Sequence, residues 1–164
     1  ARAAARQATG LRTPLEPPLA SLVRTMERLH AGRGIRFTLK RDAQPWDFLG
    51  DGQDLMEILG NLLDNAGKWA AQAVSLEVQG LEHDQAGGPL LLTVDDDGPG
   101  IEDADLGRIF ERGERLDERR PGAGLGLDIV RDLVQTYGGS IAASRSPLGG
   151  LRMQLHLPGA RREA

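Results

Sequence analysis

The chain has 164 residues, 40% hydrophobic, 4% aromatic and 27% charged, ordinary proportions for one globular domain long enough to bury a real core. With 20 basic against 24 acidic residues the net charge is -4, and no basic stripe offsets it, which argues against nucleic acid or an anionic membrane as the main partner. Zero cysteines exclude a disulfide framework and a thiol nucleophile and fit a reducing compartment, and with no apolar run near membrane-spanning length and no signal-peptide core the expectation is a soluble chain.

Residues 1–18 are Ala/Arg-rich and then Pro-rich ("TPLEPPL"), which predicts the end of a helix running into a linker, with packing beginning after it. Leu19, Leu22, Val23, Met26 and Leu29 repeat at helical spacing as far as Gly32 and Gly34, and "IRFTLKR" from Ile35 alternates like a strand. "WDFLGD" is short and extended. Asp51 is an N-cap for a helix running to about Trp69. Strands are predicted at Val74–Gln79 and Leu90–Asp95, around a polar loop holding His83, Gly87 and Gly88. The charged stretch from about Ile101 to Gly122 shows no sustained periodicity, and loops that long inside a compact domain are usually functional. Leu125–Tyr137 reads as a helix, and "GSIAASRS" with "GGLRMQLHLP" as a closing hairpin. The late hairpin and the adjacent strand pair predict a mixed, mostly antiparallel sheet with helices on one face, an α+β sandwich.

The Asp51–Trp69 helix carries the first chemical signal. Glu57, Asn61, Asn65 and Lys68 fall on one side, while Leu55, Ile58, Leu59, Leu62 and Ala66 take the other. "DDDGPGI" then ends a strand in carboxylates and turns on Gly98 and Gly100, an edge where Asp96 can accept from a purine's exocyclic amine; taken alone it is a weak signal that reads first as an acidic turn. "PGAGLGL" opens straight into a helix, so its free N–H groups and the positive helix end suit phosphate. It is not a dinucleotide fingerprint, since Leu127 stands where that pattern needs Gly, and Gly67-Lys68 is followed by Trp69, which excludes a Walker loop.

In their fixed order, Glu57-xxx-Asn61-xxx-Asn65-xx-Lys68, Asp96-x-Gly98-x-Gly100 and Gly122-x-Gly124-x-Gly126 resemble the N, G1 and G2 boxes of the GHKL ATPases, the group of gyrase B, Hsp90, MutL and histidine kinases with the Bergerat ATP-binding fold. "RIFERGER" around Phe110 is similar to the F box of histidine kinases. The resemblance covers most of residues 19–158 and is to the catalytic and ATP-binding domain of a two-component sensor histidine kinase, with 1–18 as linker and 159–164 as tail.

That resemblance implies ATP and Mg²⁺ as cofactors. Asn61 would give an amide oxygen to Mg²⁺, Asn65 and Lys68 would meet phosphate, and Asp96 would accept from the adenine amine with Gly98 and Gly100 making room. Glu57 would act as general base. Trp69, Ile101, Phe110, Leu125 and Leu127 would line the nucleotide. Gly122, Gly124 and Gly126 would hinge a lid whose arginines, Arg112, Arg115, Arg119 and Arg120, offer charge to the γ-phosphate. The structural alternative is that Asn61 and Asn65 only bond a neighbouring turn. It further implies an acceptor histidine in a dimerisation domain, a response regulator as partner, a homodimeric parent anchored in a bacterial inner membrane with this domain in the cytoplasm, and a monomer when isolated. "LRTPL" copies the tail of the phosphoacceptor box, but Thr9 stands where its His belongs, and His30, His83 and His156 fit solvated or structural roles. Trp69 replaces the usual Tyr. A GHKL ATPase clamp and a catalytically silent nucleotide-binding module are the alternative functions.

Overall fold

A computed structural model describes residues 10–82, 87–111 and 126–162. Helix α1 (Pro18–Leu29) starts on a proline, whose fixed φ suits the first turn, and buries Leu19, Val23 and Met26. Leu29, grouped with that stripe by periodicity, is instead 62% exposed. It lies in the last turn, where His30 closes the helix by donating its N–H to the Met26 carbonyl and the chain turns through Gly34 at φ 69°.

Strand β2 (Arg36–Arg41) and the short β3 (Trp46–Phe48) lead into α2 (Gly52–Trp69). Asp51 caps α2 as expected, accepting from the Gln53 N–H at 2.8 Å. Leu55, Ile58, Leu59, Leu62, Leu63 and Ala66 are buried along it, each large apolar side chain contributing about 1.5–3 kcal/mol of transfer free energy. Arg33 donates to the carbonyls of Gly67 and Lys68 at 2.8 and 3.0 Å and also to that of Ala70, satisfying the helix's C-terminal acceptors.

The main sheet has five strands in the order β2-β4-β5-β7-β6, with β4 Ala73–Gly80, β5 Leu90–Asp96, β6 Ser140–Arg145 and β7 Leu151–Leu157. The β2–β4 pair is parallel, bridged by the α2 crossover, and the other pairs are antiparallel. This is the mixed sheet read from the sequence. Along β7, Leu151, Met153, Leu155 and Leu157 are buried while Arg152, Gln154 and His156 are less so, the period-two signature of a sheet packed on one face. Helix α3 (Asp103–Leu106) is a single turn inside the stretch read as aperiodic. Helix α4 (Leu127–Thr136) starts at Gly126, in left-handed backbone at φ 91°.

Among the described residues, the segments read as linker and tail both contain paired strands. Strand β1 (Thr13–Pro14) and β8 (Gly159–Arg161) flank β3 in a second, three-stranded sheet, and Leu15 joins the core at 5% exposure. Packing therefore starts before residue 19. Backbone pairing over two or three residues leaves no side-chain period for a sequence to show.

Candidate nucleotide-binding site

The polar side of α2 rises from exposed Glu57 through half-buried Asn61 to Asn65, which is 7% exposed. Asn61 donates from Nδ2 to the Glu57 carbonyl at 2.8 Å, the i to i−4 bond open to short polar side chains, and its orientation is thereby set. Its Oδ1 faces the start of α4: a Cβ at Gly126 would lie 2.9 Å from it. The asparagine of the first motif and the last glycine of the third thus meet, 65 positions apart in sequence numbering. Lys68 pairs with Asp64 at 3.3 Å on the same helix.

Asp96 ends β5 at 3% exposure. Its Oδ1 accepts from the Gly98 N–H at 2.9 Å and the Leu151 N–H at 3.3 Å. Both bonds end on one oxygen, which leaves Oδ2 to accept from elsewhere. Burial pushes the carboxyl above its ordinary value of 3.8, and the neighbouring Asp97 and Asp95 carboxylates push the same way against the two amides. The packing is close: a Cβ at Gly150 would come within 2.0 Å of Asp96 Oδ1, and Gly150 donates its N–H to the Asp96 carbonyl at 3.1 Å. Gly150 and Leu151 are site-building residues that the sequence reading missed, although the "GG" of the closing hairpin was their visible trace.

Asp97, part of an acidic run in the sequence, fastens the end of α2 to β5. Its Oδ1 accepts from the N–H groups of Ala71, Gln72 and Ala73 at 2.9, 3.0 and 3.0 Å. Burial raises its carboxyl pKa, but these amides outweigh that and hold it below its ordinary value. Gly98 is required by the same junction, since a Cβ there would sit 2.3 Å from the Trp69 carbonyl oxygen. Gly100 takes φ 75°, where glycine is favoured. Beside it lies a cleft of about 300 Å³ lined by Pro99, Gly100, Ile101, Glu102, Arg145 and Gly149.

Ile101 and Phe110 are partly buried and pack against the core, next to Ile109 at 3% exposure. Leu127 is 2% exposed and belongs to the core. Arg112, Arg115, Arg119, Arg120, Gly122, Gly124 and Leu125, and with them most of the expected lid and hinge, lie outside the described residues, as does His83. The two other histidines make structural contacts. His30 is buried, with Nε2 2.9 Å from Asp64 Oδ1 and its ring 5.7 Å from that of Phe37, and His156 Nδ1 lies 3.3 Å from the Gly88 carbonyl.

This fold, with an asparagine helix meeting a glycine-headed helix and a buried aspartate at a strand end, defines a class. Residues 50–161 match the family of histidine kinase-, DNA gyrase B- and HSP90-like ATPases, and the chain belongs to it. It is 50% identical over 114 residues, 70% of its length, to the sensor protein kinase CarS of Pseudomonas aeruginosa, and 36% identical over 143 residues, 87% of its length, to the virulence sensor histidine kinase PhoQ of Salmonella typhimurium. These alignments span 24% and 28% of the two relatives, so the chain corresponds to about a quarter of each. Among solved structures it is similar to the mycobacterial sensor histidine kinase MprB (TM-score 0.75, 26% identity, 93% of this chain and 100% of that one). It is also similar to full-length ShkA in complex with AMPPNP (TM-score 0.73, 28% identity, 93% of this chain and 32% of that one).

Proposed function

We propose that this domain binds Mg-ATP and directs its γ-phosphoryl group to a histidine of a dimerisation segment, as the catalytic domain of a sensor histidine kinase. The observation that carries the reading is Asn61 set against Gly126, with the buried, half-satisfied carboxyl of Asp96 held by Gly98 where that glycine meets the Trp69 end of the same helix. The sensor-kinase relatives and the AMPPNP complex of ShkA support it.

Asp96 accepts the adenine amine through Oδ2, its other oxygen being held by backbone. Guanine presents a carbonyl there, so two acceptors would face each other. Asn65 and Lys68 meet phosphate oxygens, Lys68 leaving Asp64 to do so. Asn61 fits a metal-bridging role: its nitrogen is occupied by the Glu57 carbonyl, so the oxygen is the atom left to present to a hard cation. Mg²⁺, when bound, neutralises phosphate charge and orients the terminal group. Glu57, exposed at the mouth of this face, takes the proton from one nitrogen of the acceptor imidazole. The other imidazole nitrogen attacks the γ-phosphorus, the bond to the β–γ bridging oxygen breaks, and ADP leaves. Arg115 and Arg120 of the lid offer charge to the transferring group.

In this reading residues 19–158 are the catalytic domain, 1–18 lead from the dimerisation helix with Thr13–Leu15 docked on the domain, and 159–164 form the tail, its Gly159–Arg161 paired with β3. The parent is a homodimeric inner-membrane sensor that passes phosphate on to a response regulator, and the isolated domain is a cytoplasmic monomer. Calorimetric titration with ADP, AMPPNP and GTP, with and without Mg²⁺, tests the binding half: tight, metal-dependent, adenine-selective binding is expected, and equal affinity for AMPPNP and GTP contradicts it. Release of phosphate to water without transfer to a histidine would favour the ATPase clamp.

A further inference from the structure

The N-terminal end of the described chain is fastened to the base of α2 by contacts that the nucleotide reading does not use. Thr13 pairs with Phe48 and Pro14 with Asp47, and the Leu15 N–H donates to the Trp46 carbonyl at 3.2 Å. Asp47 is 5% exposed and holds arginines from opposite ends of the chain, Arg12 Nε at 3.1 Å on Oδ2 and Arg162 Nη1 at 3.1 Å on Oδ1. A buried carboxylate with two cations binds both ends to β3, and loss of either partner leaves its charge less compensated.

The same segment reaches the first turn of α2. Thr13 Oγ1 donates to the Gly50 carbonyl at 2.8 Å, and its methyl group lies 3.1 Å from where a Cβ on Gly52 would be. Between these glycines stands Asp51, the N-cap of α2. The Asp51 N–H donates to Tyr137 Oη at 3.2 Å, and that hydroxyl donates to Asp54 in the first turn of α2. Tyr137 closes α4. Thr13 therefore sits beside the junction where α2 begins and α4 ends; α2 carries Asn61, and Gly126 caps the far end of α4.

On its other flank the segment is followed by Glu16, which pairs with Arg41 at the surface. It borders a cleft of about 620 Å³ whose lining includes Pro14, Glu16, Pro17, Arg41 and Gln44 and shares no residue with the nucleotide site. Its strand is two residues long and both arginines are about half exposed. Leu15 is its one core side chain, so the segment opens at lower free energy than the helices it packs against.

We infer that Arg12–Leu15 is a conformational strap: docked through Asp47 it sets the first turn of α2, and released it loosens that turn and weakens triphosphate binding on the Asn61–Lys68 face. The binding half rests on the ATP reading above; the coupling to α2 does not.

Two variants release the strap. Arg12→Glu sets a carboxylate beside Asp47, and Thr13→Val removes the bond to Gly50 while keeping side-chain shape; Arg12→Lys is the conservative control. Amide exchange without nucleotide reads Leu15 for docking and Asp51–Leu55 for the α2 turn, with thermal melting to show that each variant is folded. In Arg12→Glu, Leu15 should lose protection and Asp51–Leu55 exchange about tenfold faster, AMPPNP affinity with Mg²⁺ should fall about three- to tenfold, the size of a lost helix cap, and Arg12→Lys should resemble the wild type. A released Leu15 with unchanged exchange at Asp51–Leu55 overturns the inference, and so does a Leu15 that stays protected in both variants. A wild type that binds no AMPPNP overturns the ATP reading instead and leaves the exchange data to decide the strap.

Discussion

The Leu151 N–H donates to Asp96 Oδ1 at 3.3 Å across 55 sequence positions, so the closing hairpin holds the buried carboxylate in place. With Gly98 on the same oxygen, one face of the carboxyl belongs to the protein and the other is left for a ligand.

Asp96→Asn should therefore separate binding from stability. The ionised carboxylate is disfavoured where it sits, because its folded pKa is raised above the ordinary value of 3.8. For a carboxyl with a raised folded pKa, the penalty is fully present above that folded value and disappears as pH falls through it. The neutral amide keeps an oxygen for Gly98 and Leu151 and escapes the penalty. The nucleotide-free variant should melt at or above the wild-type temperature at pH 7, while ADP affinity drops at least about tenfold, one charge-assisted hydrogen bond's worth. A large fall in melting temperature without nucleotide would make Asp96 a structural residue.

Asp97→Asn should behave in the opposite way. The Asp97 pKa is depressed, so its contribution to stability is present above the ordinary value of 3.8 and is lost as pH falls through the lower folded value. At pH 7 the variant should be destabilised by about 1–3 kcal/mol, the range for amides left facing a poorer acceptor, and its stability should depend less on pH across the acid limb. Denaturant melts of both proteins at pH 7 and near pH 3 check this; parallel acid limbs would contradict it.

Much of this site was legible because α2 repeats on a helical period long enough to show both faces, and because Asp96 and Gly126 sit at element ends that glycines mark. What the sequence did not disclose depends on contacts between distant positions. Asp97 reads as one more acidic residue until the end of α2 is laid against it. Gly98 was expected to make room for a base, whereas the Trp69 carbonyl already demands it. Thr13–Pro14 and Gly159–Arg161 are too short to carry a strand period, and their pairing partner β3 lies between them. Leu29 kept the helical spacing but fell past the edge of the core.

Gly150→Ala should injure Asp96 without touching the nucleotide. The added methyl would meet Oδ1 at 2.0 Å, and the crowding includes the Asp96 carbonyl and the Gly98 nitrogen. Relief requires the hairpin or the carboxyl to shift, at a cost of about 1–3 kcal/mol in stability. ADP affinity and adenine-over-guanine selectivity should fall together. Selectivity that survives a clear drop in melting temperature would show that Asp96 is not the purine-reading group.

Asn61→Ala should leave the fold nearly intact, because Asn61 is half-buried and its hydrogen bond goes to a carbonyl of its own helix. The expected loss is under about 1 kcal/mol in stability, with metal-dependent AMPPNP affinity reduced by about tenfold or more and the metal-independent component little changed. Titrations with and without Mg²⁺ separate the two. A strong destabilisation with unaltered metal dependence would mean that Asn61 serves only its turn.

The face that holds Asn61 and Glu57 is proposed to move phosphate onto a histidine. The most direct measurement incubates the domain and γ-labelled ATP, with Mg²⁺, with a separately added dimerisation hairpin from the parent protein. Label should accumulate on the hairpin's histidine, disappear when that histidine is replaced, and fall by about a hundredfold or more in rate with Glu57→Gln while ADP affinity stays at the wild-type value. Label released only as free phosphate, or transfer at the wild-type rate in Glu57→Gln, would contradict it.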